Sequence, residues 1–181
     1  MHKISILAMG LLLMGAIFVN TGIAAEGYEI LFKGTTSKLS KKEKQQIYKQ
    51  LGFRLSRDKK LIVDGTCGDV SPRVEVVDLN GDGVDEVFVE WGNLCTSGNT
   101  GRSISLFIKD SVGQYAGNLG FPAFNYEKLV TKNKGFPDLL FGGPGFCHGV
   151  WQWTGTKYDY KWSLEETPGG CAWKGLATVC Q

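Results

Sequence analysis

Val74-Glu75-Val76-Val77-Asp78-Leu79-Asn80-Gly81-Asp82-Gly83-Val84-Asp85-Glu86-Val87-Phe88-Val89-Glu90-Trp91 reads as two strands joined by a short acidic loop. The flanks are β-branched and apolar, so they pair as a hairpin and do not form the two helices of an EF-hand. Between them, oxygen-bearing side chains recur at alternate positions, a spacing that lets a loop converge on one hard cation. Asp78, Asn80 and Asp82 occupy positions one, three and five of that pattern, and Gly83 permits the tight bend at six. Val84 offers a backbone carbonyl at seven, and Glu86 closes the set at nine. An EF-hand would also need an acid at position twelve, where this chain has Val89. The expected ion is calcium, in a structural role. Asp78, Asp82, Asp85 and Glu86 crowd into one short loop and repel one another unless a cation lies among them. The plainer alternative is a polar turn, since turns favour Asn, Asp and Gly.

Working outward, the rest of the chain reads as a mainly β (α+β) fold: an antiparallel β-rich single domain with one N-terminal helix. Glycine is abundant, at 25 residues, and lies mostly between strand-like runs, as a fold of many turns requires. Strands are expected at 60–63, 72–79, 85–91, 103–109, 114–119, 126–131, 138–141, 149–154 and 157–162. Ile104, Leu106 and Ile108 alternate onto one face of theirs. The helix starts at a capping box, with Ser40 as cap and Glu43 three residues on, and stops at Gly52. Near the C-terminus, Trp151, Trp153, Tyr158 and Tyr160 flank Gly155-Thr156, a two-residue hairpin loop. That register pairs Trp153 with Tyr158 and Trp151 with Tyr160, all on one face. The four rings form either a core face or a ligand face for sugar or peptide.

Asp-Leu-Asn-Gly-Asp-Gly followed by a strand resembles the calcium loops of FG-GAP and VCBS-type repeats, known from integrin-like propellers and many secreted bacterial proteins. The resemblance covers about a tenth of the chain. The motif occurs once here, whereas propellers repeat it in every blade, so what it implies is a single calcium loop. Glu86 stands where integrin-type loops carry Asp, and Asp85 where the family often has Pro; neither removes a ligand.

Residues 1–25 open with His2 and Lys3, run apolar from Ile4 to Val19 and end in small residues around Ala24 and Ala25. This is the pattern of a secretory signal peptide, with 26–181 as the exported domain, periplasmic or secreted. Lys3 is the one charged side chain in 1–25, so 26–181 carries 19 basic against 18 acidic groups, a net +1. That balance argues against nucleic acid as a partner, and no later run is apolar enough for membrane insertion. Cys67, Cys95, Cys147, Cys171 and Cys180 all fall in 26–181, which in an oxidising compartment reads as two disulfides and one spare thiol. The pairing expected is Cys67–Cys95, across the hairpin, and Cys171 with Cys180 or Cys147. Zinc is not indicated: Cys-x-x-Cys is absent, and His148 is the single histidine of that region.

Catalytic motifs are also lacking. The chain has no Gly-x-Ser-x-Gly and no His-Glu-x-x-His, and no phosphate loop follows Phe141-Gly142-Gly143-Pro144-Gly145. A glycosidase pair would have to come from Glu90, Asp138 and Glu127, with nothing to choose among them. The profile is similar, as a class, to periplasmic immunity proteins and lysozyme inhibitors. It implies a non-enzymatic binding protein whose partner is a toxin or a cell-wall hydrolase. The alternative is a carbohydrate or cell-envelope module that uses the aromatic hairpin.

Overall fold

The structure is a computed structural model that describes residues 21–171, with side chains from 26 onward. Most of the signal-peptide reading, and Cys180, lie outside the described residues. Two helices lead the chain where one was expected: α1 (Thr21–Leu31) and α2 (Lys41–Leu51). Alpha2 forms as its sequence dictates. The Ser40 hydroxyl accepts from the Glu43 backbone N–H, the Glu43 carboxylate accepts from the Ser40 N–H, and Gly52 closes the helix in the left-handed conformation. The second half of α1 was not legible because Gly27-Tyr28-Glu29-Ile30-Leu31 is too short to show a helical period.

Three antiparallel sheets follow. The smallest joins β1 (Arg54–Leu55), β2 (Ile62–Asp64) and β3 (Gly68–Asp69). The inner sheet is a meander of β4 (Arg73–Val77), β5 (Glu86–Trp91), β6 (Ser103–Lys109) and β7 (Tyr115–Pro122). The outer sheet is a second meander of β8 (Asn125–Asn133), β9 (Phe136–Gly142), β10 (Cys147–Trp153) and β11 (Tyr158–Glu165). Between β5 and β6 lies a one-turn helix, α3 (Leu94–Ser97), capped by the Asn93 side chain. The fold is thus mostly β with open sheets, as the strand pattern predicted.

The layers follow from alternation along the inner sheet. Val87, Val89 and Phe107 face the helices, packing with Tyr28, Leu31, Ile47 and Tyr48. Phe88, Ile104, Leu106 and Ile108 face the outer sheet, packing with Leu139, Phe141, Trp153 and Tyr158. The central strands are therefore buried on both faces, and their sequences read as near-continuous apolar runs. Two disulfides pin the periphery. Cys67–Cys95 ties the β2–β3 turn to α3, and Cys147–Cys171 ties the start of β10 to the last described residue. Both pairings are among those expected from sequence. No helix among the described residues is long and apolar enough to cross a membrane.

Candidate functional site

The acidic loop connects β4 to β5, whose register pairs Val77 with Glu86. Asp78 turns its carboxylate back onto the loop: Oδ1 accepts from the N–H groups of Gly81 and Asp82, and Oδ2 from that of Gly83 at 2.8 Å. These bonds hold its pKa below the usual carboxylate value, the Gly83 N–H contributing most. Asn80 Oδ1 accepts from the Asp82 N–H, and Asn80 Nδ2 donates to Asp82 Oδ2 at 2.9 Å. Asp82 Oδ1 accepts from the Val84 N–H. Gly81 and Gly83 both take positive φ, at 81° and 84°, which a side chain would resist.

Glu86 stands apart from these three. It is 2 % exposed, and its Oε2 accepts from the Leu79 N–H at 2.7 Å. Burial raises its pKa to about 7 against the pull of that hydrogen bond, and the charges of Asp82, Asp78 and Asp85 add to the rise. Among the described residues, no three His, Cys, Asp or Glu side chains converge as metal ligands. The loop is thus a self-bonded turn above a buried carboxylate, anchored further by the Tyr115 hydroxyl, which donates to the Asp85 carbonyl at 2.7 Å.

The aromatic hairpin has the register read from sequence, Trp153 with Tyr158 and Trp151 with Tyr160. Its rings face the inner sheet. Trp153 stacks on Phe136 at 4.4 Å, Tyr158 is 1 % exposed and donates to the Pro137 carbonyl, and Trp151 stacks on Phe121 at 4.9 Å. Tyr160 remains half exposed, its hydroxyl against Ser163 Oγ. Of the two alternatives, the core face holds for Trp153 and Tyr158, while Trp151 is partly buried against that core and Tyr160 lies outside it. Trp153 and Tyr158 are covered because large aromatic areas gain most from leaving water.

The carboxylates that a hydrolase would need are not gathered. Glu90 is held by Arg102 at 2.9 Å and lines a cleft between the sheets. Asp138 is buried, with Oδ2 3.5 Å from Gln152 Nε2 and Oδ1 without a partner. Glu127 lines a different concavity.

That concavity, about 580 Å³, was missed by sequence reasoning. It lies on the face of the outer sheet that points away from the inner sheet. Register builds it: Glu127 sits opposite Leu140, Leu140 opposite Val150, and His148 opposite Leu164. Its wall includes Phe124, Glu127, Leu140, His148, Leu164 and Glu166. His148 Nε2 lies 3.2 Å from Glu166 Oε2, while His148 Nδ1 is buried without a partner. A proton on Nδ1 would be a buried, unpaired N–H, so it belongs on Nε2, where it is donated to Glu166. Phe124, Phe146 and Leu164 are 45 %, 56 % and 40 % exposed, an unusual concentration of apolar surface at one end of a sheet. The signal that could have found it was the outward set of the β8–β11 alternation, but aligning four strands needs their register.

Comparison with family models, with curated proteins and with solved structures finds no match.

Proposed function

We propose that this chain is an exported binding protein of the immunity or inhibitor kind, which neutralises a toxin or cell-wall hydrolase and carries one structural calcium ion. The observation that carries the first half is the outer concavity. Two exposed hydrophobic side chains, Phe124 and Leu164, line it, and the exposed Phe146 follows the lining residue Gly145 in the chain. Apolar groups clustered beside carboxylates suit the core and rim of a protein interface better than plain solvated surface. The two disulfides and the doubly covered inner sheet support the same reading, because a rigid surface loses little entropy on binding. Mixing the protein with a co-encoded toxin or a peptidoglycan hydrolase should abolish that enzyme's activity at one-to-one stoichiometry. Full activity in the presence of excess protein, against every such enzyme encoded beside it, would sink the reading.

The calcium half rests on the donor set. Asp78, Asn80 and Asp82 are already oriented by backbone N–H groups, and Asp78 Oδ2 and Asp82 Oδ1, which accept one such bond each, keep a lone pair for a cation. Burial and then the charges of Asp82, Asp78 and Asp85 disfavour the ionised form of Glu86, and a cation in the loop would offset that repulsion. The calcium would brace the β4–β5 connection and supply no chemistry. An ion that binds only the folded form raises the melting temperature by mass action, so chelation should lower it and Asp82→Ala should remove the difference. If neither treatment moves the melting temperature, the loop is a turn and nothing more.

A further inference from the structure

Three of the four outer edges of the two large sheets are closed by visible devices. On β7 the Gln50 side chain does what a neighbouring strand would: Nε2 donates to the Tyr115 carbonyl at 2.7 Å, and Oε1 accepts from the Gly117 N–H at 3.0 Å. Beside it, Asn118 accepts from the Tyr158 N–H. Strands β8 and β11 lie against register shifts and carry lysines, among them Lys128, Lys132 and Lys161, which deter pairing with another chain. Strand β4 has none of these. Its register with β5 is regular over Arg73–Val77, and β5 is its one strand partner. Among the described residues, no side chain hydrogen-bonds the backbone of β4.

The open edge also has room beside it on both faces. On the helix side, a groove of about 530 Å³ lies between residues 72–76 and residues 33–36. On the other side, a cleft of about 290 Å³ is lined by Arg73, Glu75, Glu90 and Tyr126. An extended strand added to a sheet edge needs just such space, with alternate side chains entering the two sides.

From this edge and its charges we propose that the occupant is a second copy of the chain, paired antiparallel through β4 about a two-fold axis at Val74. In that register Arg73 lies opposite the partner's Glu75, and Glu75 opposite the partner's Arg73, so two opposite-charge pairs form on one face. On the other face Val74 meets the partner's Val74, and Val76 the partner's Pro72. Moving the axis to Arg73 or to Glu75 sets like charges opposite, which repulsion disfavours. Both side chains are exposed, and neither has an ion pair among the described residues; Glu90, opposite Arg73 on β5, is held by Arg102 instead. The positive φ of Ser71, at 39°, and the acidic loop from Asp78 bound the paired stretch. Two inner sheets thereby join into one. The stretch is short, so association is weak and reversible. It uses no residue of the outer concavity and stands apart from the binding-protein reading.

The test uses the protein with its disulfides intact and any free thiol alkylated. Sedimentation equilibrium should show the mass rising from one chain toward two between about 10 µM and about 1 mM, the range of a weak interface. Over the same series, exchange of alternate backbone amides in β4 should slow, whereas that in β7, already closed by Gln50, should not. Arg73→Glu or Glu75→Arg alone places like charges at both symmetric pairs and should weaken association about tenfold. The Arg73→Glu/Glu75→Arg double exchange recreates opposite pairs and should restore it, which a merely damaged fold would not do. Melting curves check that each variant folds; where one does not, the exchange series on the unaltered protein decides alone. A single-chain mass at about 1 mM with unchanged β4 exchange would overturn the proposal. So would a dimer indifferent to both single variants, or a double exchange no tighter than either.

Discussion

The two four-stranded sheets have the same meander topology and nearly opposite duties. The inner sheet is covered twice, by α1 and α2 on one face and by the outer sheet on the other, so Val87, Phe88, Val89, Ile104 and Leu106 are all at most 2 % exposed. The outer sheet is covered once. Its inward rings complete the core, while its outward set mixes buried Val150 with the carboxylates, histidine and exposed leucine of the concavity. A sheet buried on both sides can specify the fold but cannot meet a partner through either face. One left partly open on a single side can do both. Stability and recognition should therefore separate by sheet, and substitutions can test that separation.

The largest effect belongs to the inner sheet. Leu106 is fully buried at the centre of the intersheet core. Leu106→Ala should cost about 3–4 kcal/mol, transfer loss plus cavity, read as the shift in a denaturant midpoint at unchanged slope. A cost below about 1 kcal/mol would mean that the sheets are loosely packed and the contrast is false.

Next comes the helical cover. A β-carbon at Gly27 would fall inside the ring of Tyr48, itself 2 % exposed between α1 and the core. Gly27→Ala should therefore destabilise by roughly 1–3 kcal/mol, although alanine is the better helix former. A stabilised variant would show that α1 is not packed on the inner sheet as described.

A smaller effect ties α2 to β6. Lys109 Nζ lies 2.7 Å from Glu43 Oε1, and Glu43 also accepts the Ser40 bonds of the capping box. The Lys109 contact, followed by the bonds from Ser40, lowers the Glu43 pKa from 4.5 to about 2. A depressed folded-state pKa stabilises above the unfolded value, and that stability is lost as the pH falls from about 4.5 through about 2. Because the pair is partly solvated, we expect roughly 1–2 kcal/mol, not the full linkage value. Lys109→Met should flatten the stability profile across that window and leave the rest of the curve in place. A profile that keeps its slope would assign the acid sensitivity to other carboxylates.

What the sequence disclosed follows the same division. Elements specified by neighbours in the chain were legible: the Ser40–Glu43 capping box, the Gly155-Thr156 hairpin register, the strands flanking the acidic loop, and the alternation of Ile104, Leu106 and Ile108. Elements specified by distant partners were not. Alpha1 and the two-residue strands β1 and β3 carry too few residues for a period to show. Whether the hairpin rings were core or surface depended on Phe121 and Phe136, which lie on other strands. Glu86 matched a ligand position by spacing, yet its side chain turns to the Leu79 N–H because strand β5 begins there and carries it inward. The concavity needed the registers of four strands at once, so no local pattern announced it.

The smallest stability effect is the sharpest test of the division. Leu164 is 40 % exposed on the edge strand β11, opposite His148, and its apolar area faces solvent and the concavity more than the core. Leu164→Ala should change stability by about 0.5 kcal/mol or less, the range of surface substitutions away from packed features. The same change should weaken partner binding far more than it weakens the fold, because an apolar side chain in an interface is desolvated on association while in the free protein it stays wet. Thermal melts and inhibition assays on one preparation give both numbers. If Leu164→Ala lowered the melting temperature as much as Leu106→Ala does, the outer face would be core, and recognition would have to be sought elsewhere on the molecule.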